Sequence, residues 1–272
     1  MDEKELTRLL VINTKKLLAR FALRHSVGLA LYRNQNPNAG SGTLLKISNK
    51  YFIITAAHCI SNLDLKDIKI AYREKSLSER FEIIKMGYKG GSDNDPSDIA
   101  YLEIKEPDPK GLPAEFLTLG NLRTNPFYKE KLGYLFGFPS QLIPIEEVFE
   151  GTFRFRSLGL LTIIKDARAY DNIVDPIIDC VFSYPKSGLI GEETNFSESP
   201  DPGGLSGGSM WIYEDENSTD IVGSHNAKLV GITKSWIPKQ RIIIGNRIIY
   251  LLNLLQDDYP ELSDEISKAK DN

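Results

Sequence analysis

Short runs of apolar and β-branched residues recur along most of the chain, and clusters of Asn, Gly, Ser, Asp and Pro separate them. Runs of this length between turn residues predict β-strands. They form two sets of roughly six, one before residue 110 and one from residue 131 onwards. The first set reads SVGLALY, GTLLKI, YFIITA, DIKIAY, FEIIKMGY and IAYLEI; the second reads KLGYLFGF, VFEGTFRF, GLLTIIK, PIIDCVFSY, GSMWIY, AKLVGITKSW and RIIIG.

Helical periodicity is confined to the two ends of the chain. Residues 4–22 predict a helix with an apolar stripe, which can pack on the rest of the protein or dock a partner. We favour packing, because such stripes are generally part of a core. Near the other end, NRIIYLLNLLQ predicts a second helix with Asn246 as its N-cap, followed by a polar tail.

Many short strands with helices only at the ends favour antiparallel barrels over a parallel sheet with crossover helices. The predicted fold class is therefore all-β, with two six-stranded antiparallel β-barrels. We divide the chain into an N-terminal helix at 1–23, a first barrel at 24–128, a second barrel at 129–245, and a C-terminal helix with its tail at 246–272.

Charge and cysteine content restrict the environment of the protein. The 272 residues include 33 Lys and Arg against 37 Asp and Glu, a net charge of −4. This balance provides no basic field for nucleic acid or an anionic membrane, so we expect neither as a partner. The start does not resemble a secretory signal, and two cysteines allow at most one disulfide. We therefore expect a cytoplasmic protein with reduced thiols.

Three stretches carry candidate catalytic residues: TAAHC with His58, PSDIAYLEI with Asp98, and DPGGLSGGSMWIY with Ser206. A serine hydroxyl is a poor nucleophile unless a base takes its proton, and histidine suits that role at neutral pH. A carboxylate on the other ring nitrogen fixes the histidine tautomer. Glycines around a serine let backbone N–H groups turn toward a developing oxyanion.

These segments occur in the order His, Asp, Ser and resemble the trypsin/chymotrypsin-like serine proteases over about residues 25–255. The resemblance also includes SGTLLKISNKYFIITAAHC, GYLFGFP and LVGITKSW. It implies a chymotrypsin-like fold and an endopeptidase that cleaves protein or peptide substrates through an acyl-enzyme. It makes His58 the general base, Asp98 its orienting residue and Ser206 the nucleophile, with the N–H groups of Gly204 and Ser206 as the oxyanion hole.

The sequence departs from the secreted members of that family. Leu205 stands where secreted trypsins carry the aspartate that pairs with a newly cut N-terminus, so the chain is more similar to HtrA/Deg-type peptidase domains, here without a PDZ-like domain. The family's disulfide partner of Cys59 would fall in GSGTL, which has no cysteine, so we expect a free buried thiol. Some similar bacterial domains act in stress or anti-phage systems, and by analogy an activating or defence-system partner is conceivable.

Two other functional interpretations need weighing. GLSGG also fits the nucleophile motif of α/β-hydrolases, but the following SMWIY indicates a strand rather than the required helix, and His225 is the only later histidine. We reject that fold. A second interpretation, a catalytically silent peptide-binding module, remains open because Leu205 removes the usual support of the oxyanion turn.

The remaining candidates are weaker. Three dispersed histidines and two distant cysteines give no metal-ligand spacing, so we expect no metal and no cofactor. His25 and His225 are expected to be structural or solvated. The acids Glu198 and Asp201 would suit a basic substrate side chain, whereas Pro200 would not, so the sequence leaves the cleavage preference open.

Overall fold

The computed structural model describes residues 16–33, 36–72, 77–78, 81–92, 95–107, 115–125, 131–143, 154–185, 188–190, 194–196, 200–213 and 227–270. These residues form two antiparallel sheets with helices at the ends. The predicted all-β fold class with two six-stranded antiparallel units is confirmed, and strand pairing closes the second unit into a barrel.

The first sheet has the strand order β4-β1-β2-β3-β7-β6, and the two-residue strand β5 extends its edge beside β4. Its strands are β1 Ser26–Arg33, β2 Asn36–Ile47, β3 Lys50–Thr55, β4 Ile68–Tyr72, β5 Leu77–Ser78, β6 Ile83–Ser92 and β7 Asp95–Ile104. A two-residue loop, in which Ser48 has a φ of 54°, joins β2 to β3 and aligns the strand that leads to His58.

The second sheet closes into a barrel. Its order is β10-β15-β14-β13-β8-β9, and β9 pairs again with β10 to complete the ring, while β11 and β12 extend from β9. Its strands are β8 Lys131–Gly137, β9 Leu158–Lys165, β10 Asp179–Ser183, β11 Gly188–Ile190, β12 Thr194–Phe196, β13 Ser209–Tyr213, β14 Ala227–Ile237 and β15 Ile242–Arg247. We call it the second barrel.

Residues 99–102 of β7 are buried on both faces of the strand, which explains the uninterrupted apolar run there. Ala100 and Leu102 belong to the core inside the first sheet. Ile99 and Tyr101 on the other face belong to a larger core that also includes residues of the second barrel and of the C-terminal helices. A strand covered on both sides loses the usual alternation of apolar and polar residues.

Helices lie at both ends of the fold. The described part of the N-terminal helix spans 16–24, with a long helix at Ile248–Asp258 and a final helix at Ser263–Lys270. Leu18 is buried in the larger core, and the Phe21 ring lies 5.2 Å from that of Trp211. Packing of the helix on the barrels is therefore confirmed for its described part.

The interpretation of Asn246 as a helix cap is wrong. Asn246 belongs to β15, and the long helix begins two residues later, with Arg247 at the N-cap position and no capping side-chain bond. Asn246 is fully buried, and its amide is bonded inside the fold. A polar residue before a helix is therefore used here for a tertiary contact.

The larger core joins the first sheet to the second barrel. Phe52 and Tyr101 contribute from the first sheet, Phe138 and Trp211 come from the region of the second barrel, and Leu251 comes from the long helix. Burying a large apolar side chain stabilises a fold by roughly 1.5–3 kcal/mol. This shared core fixes the two halves against each other, with His58 and Asp98 on one half and Ser206 on the other.

Candidate active site

His58 lies just after β3, in the single-turn helix Ala57–Ile60. Its side chain is 42% exposed, while Ala57 and Cys59 on either side are buried. The Arg33 guanidinium donates a hydrogen bond of 2.5 Å to the His58 carbonyl oxygen, so the end of this turn is held by the neighbouring strand β1. The backbone is thus anchored while the imidazole faces solvent.

Asp98 accepts two hydrogen bonds from His58. The His58 backbone N–H donates to Oδ1 at 2.8 Å, and the ring Nδ1 donates to Oδ2 at 2.6 Å. Because a carboxylate only accepts, the shared proton lies on Nδ1, and Nε2 is the atom left to accept a proton. The bond to Asp98 also raises the pKa of His58 above its ordinary value of 6.5.

Ser206 follows a tight turn over residues 202–205. The Leu205 N–H donates to the Pro202 carbonyl oxygen at 2.9 Å, and Gly204 has a φ of +90°, the conformation that a type II turn requires at its third residue. The Gly203 carbonyl oxygen accepts from the Ser140 N–H at 2.8 Å. In a trans peptide the carbonyl and the following N–H point in opposite directions, so the Gly204 N–H faces away from Ser140.

The two N–H groups predicted to bind an oxyanion are available. Within the described part of the chain, neither the Gly204 N–H nor the Ser206 N–H donates a hydrogen bond, although the N–H groups of Leu205, Gly207 and Gly208 all do. An unbound pair of donors beside a partly exposed serine can accept a developing negative charge.

Ser41 of β2 supports this turn from the first sheet. Its hydroxyl donates to the Gly204 carbonyl oxygen at 2.8 Å and accepts from the Phe138 N–H at 2.8 Å. Its own N–H donates to the Ser206 carbonyl oxygen at 2.9 Å. Leu205 meanwhile packs into the core of the second barrel. The turn is therefore held by a serine and an apolar side chain, with no carboxylate at position 205.

Ser41→Ala should loosen the turn. The change leaves the buried Phe138 N–H without its acceptor, at a cost of about 1–3 kcal/mol. Removing one oxyanion donor outright lowers rates by roughly 10²–10³, so we expect a smaller loss, about 10-fold, in the rate at which a fluorophosphonate reacts with Ser206. Ser267→Ala, on the exposed side of the final helix, is the control. Equal rates for both variants would show that the Ser41 hydrogen bonds do not affect the reactivity of Ser206.

The Ser206 hydroxyl makes no hydrogen bond to His58 among the described residues. Instead, His58 Nε2 lies 3.7 Å from the Cys59 sulfur, and the same sulfur lies 3.8 Å from the Ser206 carbonyl oxygen. Cys59 thus touches both residues. The structure brings His58 and Asp98 into direct contact, and brings Ser206 next to them through one shared neighbour.

Both cysteines are free and buried, as expected for Cys59. A Cβ added at Gly40 would lie 3.5 Å from the Cys59 sulfur, so the first residue of GSGTL faces this thiol without supplying a partner. Burial raises the pKa of the Cys180 thiol to about 12, which keeps that thiol protonated and unreactive.

The other sequence candidates have structural roles or lie outside the described residues. His25 is buried, with Nδ1 2.8 Å from the Glu115 carbonyl oxygen. Ser206 is followed by strand β13 of an antiparallel sheet, which confirms the rejection of the α/β-hydrolase fold. The predictions that lie outside the described residues concern 1–15, 148–153, Glu198 and His225.

The described residues contain neither a metal site of three or more ligands nor a membrane-spanning helix. Among the described residues, no group of three or more His, Cys, Asp or Glu side chains could hold a metal ion. No helix in the described ranges is both long enough and apolar enough to cross a membrane.

Four residues around the site were not identified as site residues from the sequence. Ser41 and Ser140 hold the turn before Ser206, and Lys234 and Asn246 bond to the backbone near Asp98. Lys234 lies in a β-bulge between Thr233 and Ser235.

No protein-family model matches the chain, and no curated protein matches it in sequence. Solved structures match the chain in fold. The scabies mite inactivated protease paralogue S-I1 is 15% identical with a TM-score of 0.56, covering 88% of this chain and 96% of that chain. VesB protease of Vibrio cholerae is 14% identical with a TM-score of 0.51, covering 85% of this chain and 63% of that chain.

Kallikrein-related peptidase 10 is likewise 14% identical with a TM-score of 0.51, covering 89% of this chain and 98% of that chain. These similar structures include proteases and inactivated protease paralogues, and identities this low show a fold rather than an activity. The chain therefore has the trypsin/chymotrypsin-like fold.

Proposed function

We propose that this protein is a serine endopeptidase of the HtrA/Deg-like kind that cleaves peptide bonds through an acyl-enzyme at Ser206. The observation that carries the proposal is the pair of hydrogen bonds from His58 to Asp98, at 2.8 and 2.6 Å. This pairing fixes the imidazole in the tautomer that a general base needs. The N–H groups of Gly204 and Ser206, which donate no hydrogen bond within the described residues, stabilise the negative oxygen that forms on the substrate.

In this mechanism, the Ser206 Oγ attacks the substrate carbonyl carbon while its proton moves to His58 Nε2. The negative oxygen that forms accepts hydrogen bonds from the Gly204 and Ser206 N–H groups. His58 then gives the proton to the leaving amine, and water enters by the same steps in reverse order to release the acid. Asp98 stays ionised and stabilises the imidazolium.

One rearrangement must accompany substrate binding. His58 Nε2 contacts the Cys59 sulfur in the free protein, so the imidazole and Ser206 must close on each other. Catalytic hydrogen bonds are often long without substrate and tighten in the complex. A protein partner that favours the closed arrangement would act as an activator, which is the role we propose for the partner expected from the sequence.

Two buried free thiols support the proposed cytoplasmic location, because reducing compartments keep such cysteines unpaired. The substrate is accordingly an intracellular protein or peptide. Leu205 supports the HtrA/Deg-like assignment, since an apolar residue in the core cannot pair with a new N-terminus.

A catalytically silent peptide-binding module is the second candidate. It is favoured by the contact between His58 Nε2 and Cys59, which leaves the base without a hydrogen bond to the serine. The similar structures include inactivated protease paralogues, so this fold exists in forms described as inactive.

Labelling with a fluorophosphonate probe distinguishes the two functions, because the probe reacts with a serine activated by a base. We expect the purified wild type to be labelled and Ser206→Ala to be unlabelled. Ser235→Ala, which removes an exposed hydroxyl nearby in β14, should label like the wild type. Absence of labelling, both alone and in a lysate of the cells that express the protein, would favour the silent module.

A further inference from the structure

A charged pair is buried in the second barrel, close to Asp98 but outside the site described above. The Lys234 ammonium lies 2.6 Å from Asp179 Oδ1, and the two side chains are only 13% and 3% exposed. Lys234 occupies the β-bulge of β14, where the shift in register lets a residue between two paired positions point inward. Buried pairs of this kind add little stability beyond an apolar replacement, so another role needs to be considered.

Lys234 and the neighbouring Asn246 bond to the chain on either side of Ser97. Lys234 Nζ donates to the Pro96 carbonyl oxygen at 2.9 Å. The Asn246 side chain accepts the Asp98 backbone N–H at 2.6 Å through Oδ1, and donates to Asp179 Oδ1 at 3.2 Å through Nδ2. Two side chains of the second barrel, linked to each other through Asp179, thus bind two backbone groups of residues 96–98 in the first sheet.

The backbone at Asp98 needs this support on its β3 side, because the sheet pairs Asp98 on the other side, with Gly90 of β6. Strand β3 pairs with β7 only from Ala100 onward, so on that side Asp98 lies beyond the ladder. The Asn246 amide provides the acceptor that a neighbouring strand would otherwise provide. A buried N–H without a partner would cost free energy, so the contact fixes where the strand begins.

We propose that Lys234, Asp179 and Asn246 act as positioning residues that set the location of Asp98, and through it of His58, relative to Ser206. The inference rests on the proposed function for its catalytic meaning. Asp98 is held at its carboxylate by His58 and at its backbone by Asn246. Because Ser206 belongs to the second barrel, the same contacts fix the distance across which the proton must move.

Two variants test this role. Lys234→Met with Asp179→Asn removes the charged pair but keeps an amide for Asn246, and Asn246→Ala removes the acceptor of the Asp98 N–H. Misplacing a catalytic group by about 1 Å costs roughly 10²-fold in rate, so we expect each to slow fluorophosphonate labelling by about 10- to 100-fold. The control is Lys50→Met with Glu103→Gln, which removes a partly buried pair between β3 and β7, away from Asp98.

A second readout does not depend on Ser206. The proton on His58 Nδ1, shared with Asp98, gives a far-downfield proton NMR signal in the wild type and in the control. We expect that signal to shift or broaden in both test variants while thermal unfolding remains cooperative. If the signal changes in the test variants but the probe labels no form of the protein, wild type included, the positioning role is supported and only the proposed function is contradicted. An unchanged signal and an unchanged labelling rate in the folded charged-pair variant would overturn the inference.

Discussion

Asp98→Asn is expected to lower the rate of fluorophosphonate labelling at Ser206 by about 10⁴-fold while leaving the fold intact. The amide oxygen of the new side chain can still accept the His58 backbone N–H. Its NH₂ group then faces His58 Nδ1, which must become the acceptor. The ring proton therefore moves to Nε2, and the base can no longer take the proton of Ser206.

The dependence on pH gives this variant a second signature. Because the Asp98 bond raises the pKa of His58, the neutral base of the wild type should accumulate above pH 6.5, and labelling should increase with pH through that raised value. The same bond stabilises the fold fully below the unfolded pKa, and its contribution is lost as pH rises through the folded pKa. Asp98→Asn should remove both effects.

Asp64→Asn is the matched control, because it makes the same change in an exposed ion pair with Lys66. Rates and pH profiles are measured as second-order labelling constants between pH 5 and pH 10. A loss of less than about 10-fold in Asp98→Asn would contradict the assignment of His58 and Asp98 as base and orienting residue.

Gly207→Ala is expected to be strongly destabilising. Gly207 has a φ of +84°, and an added Cβ would lie 2.0 Å from the Ser41 carbonyl oxygen and 2.2 Å from the Thr55 hydroxyl oxygen. One of these atoms is backbone and cannot rotate away. Strain and overpacking together should cost about 3 kcal/mol or more, which corresponds to a loss of about 6–12 °C in Tm.

Gly120→Ala is the comparison for this prediction, because its nearest described neighbour would be 3.8 Å from the new Cβ. Thermal unfolding by circular dichroism measures both variants against the wild type. A Tm for Gly207→Ala within 1–2 °C of that for Gly120→Ala would mean that the two halves do not approach as closely as described here.

The sequence predicted the elements that depend on local pattern. Alternating runs between turn residues identified the two sheets. The order of His58, Asp98 and Ser206 identified residues that the fold brings together, since His58 contacts Asp98 and Ser206 lies next to them. These signals succeed because strand periodicity and turn composition act over few residues. The free state of Cys59 followed from the resemblance, because the segment where the family carries its partner, GSGTL, has no cysteine.

Other features were missed because they depend on long-range contacts. Asn246 looked like a helix cap, since capping and tertiary bonding use the same side-chain types. Its partner Asp98 is distant in the sequence, and no local pattern links the two. The inward position of Lys234 had no local signal, because a bulge reverses the inside and outside positions that a period of two predicts.

The support of the Ser206 turn by Ser41 and by buried Leu205 affects when the protein can act. Both supports come from the folded chain itself, so the turn takes shape as the second barrel docks on the first sheet. Under the proposed function, the turn needs no later cut to take shape, so the step left to control is the closure of His58 on Ser206. A partner that favours this closure, rather than removal of a precursor segment, would then decide when the proposed peptidase acts.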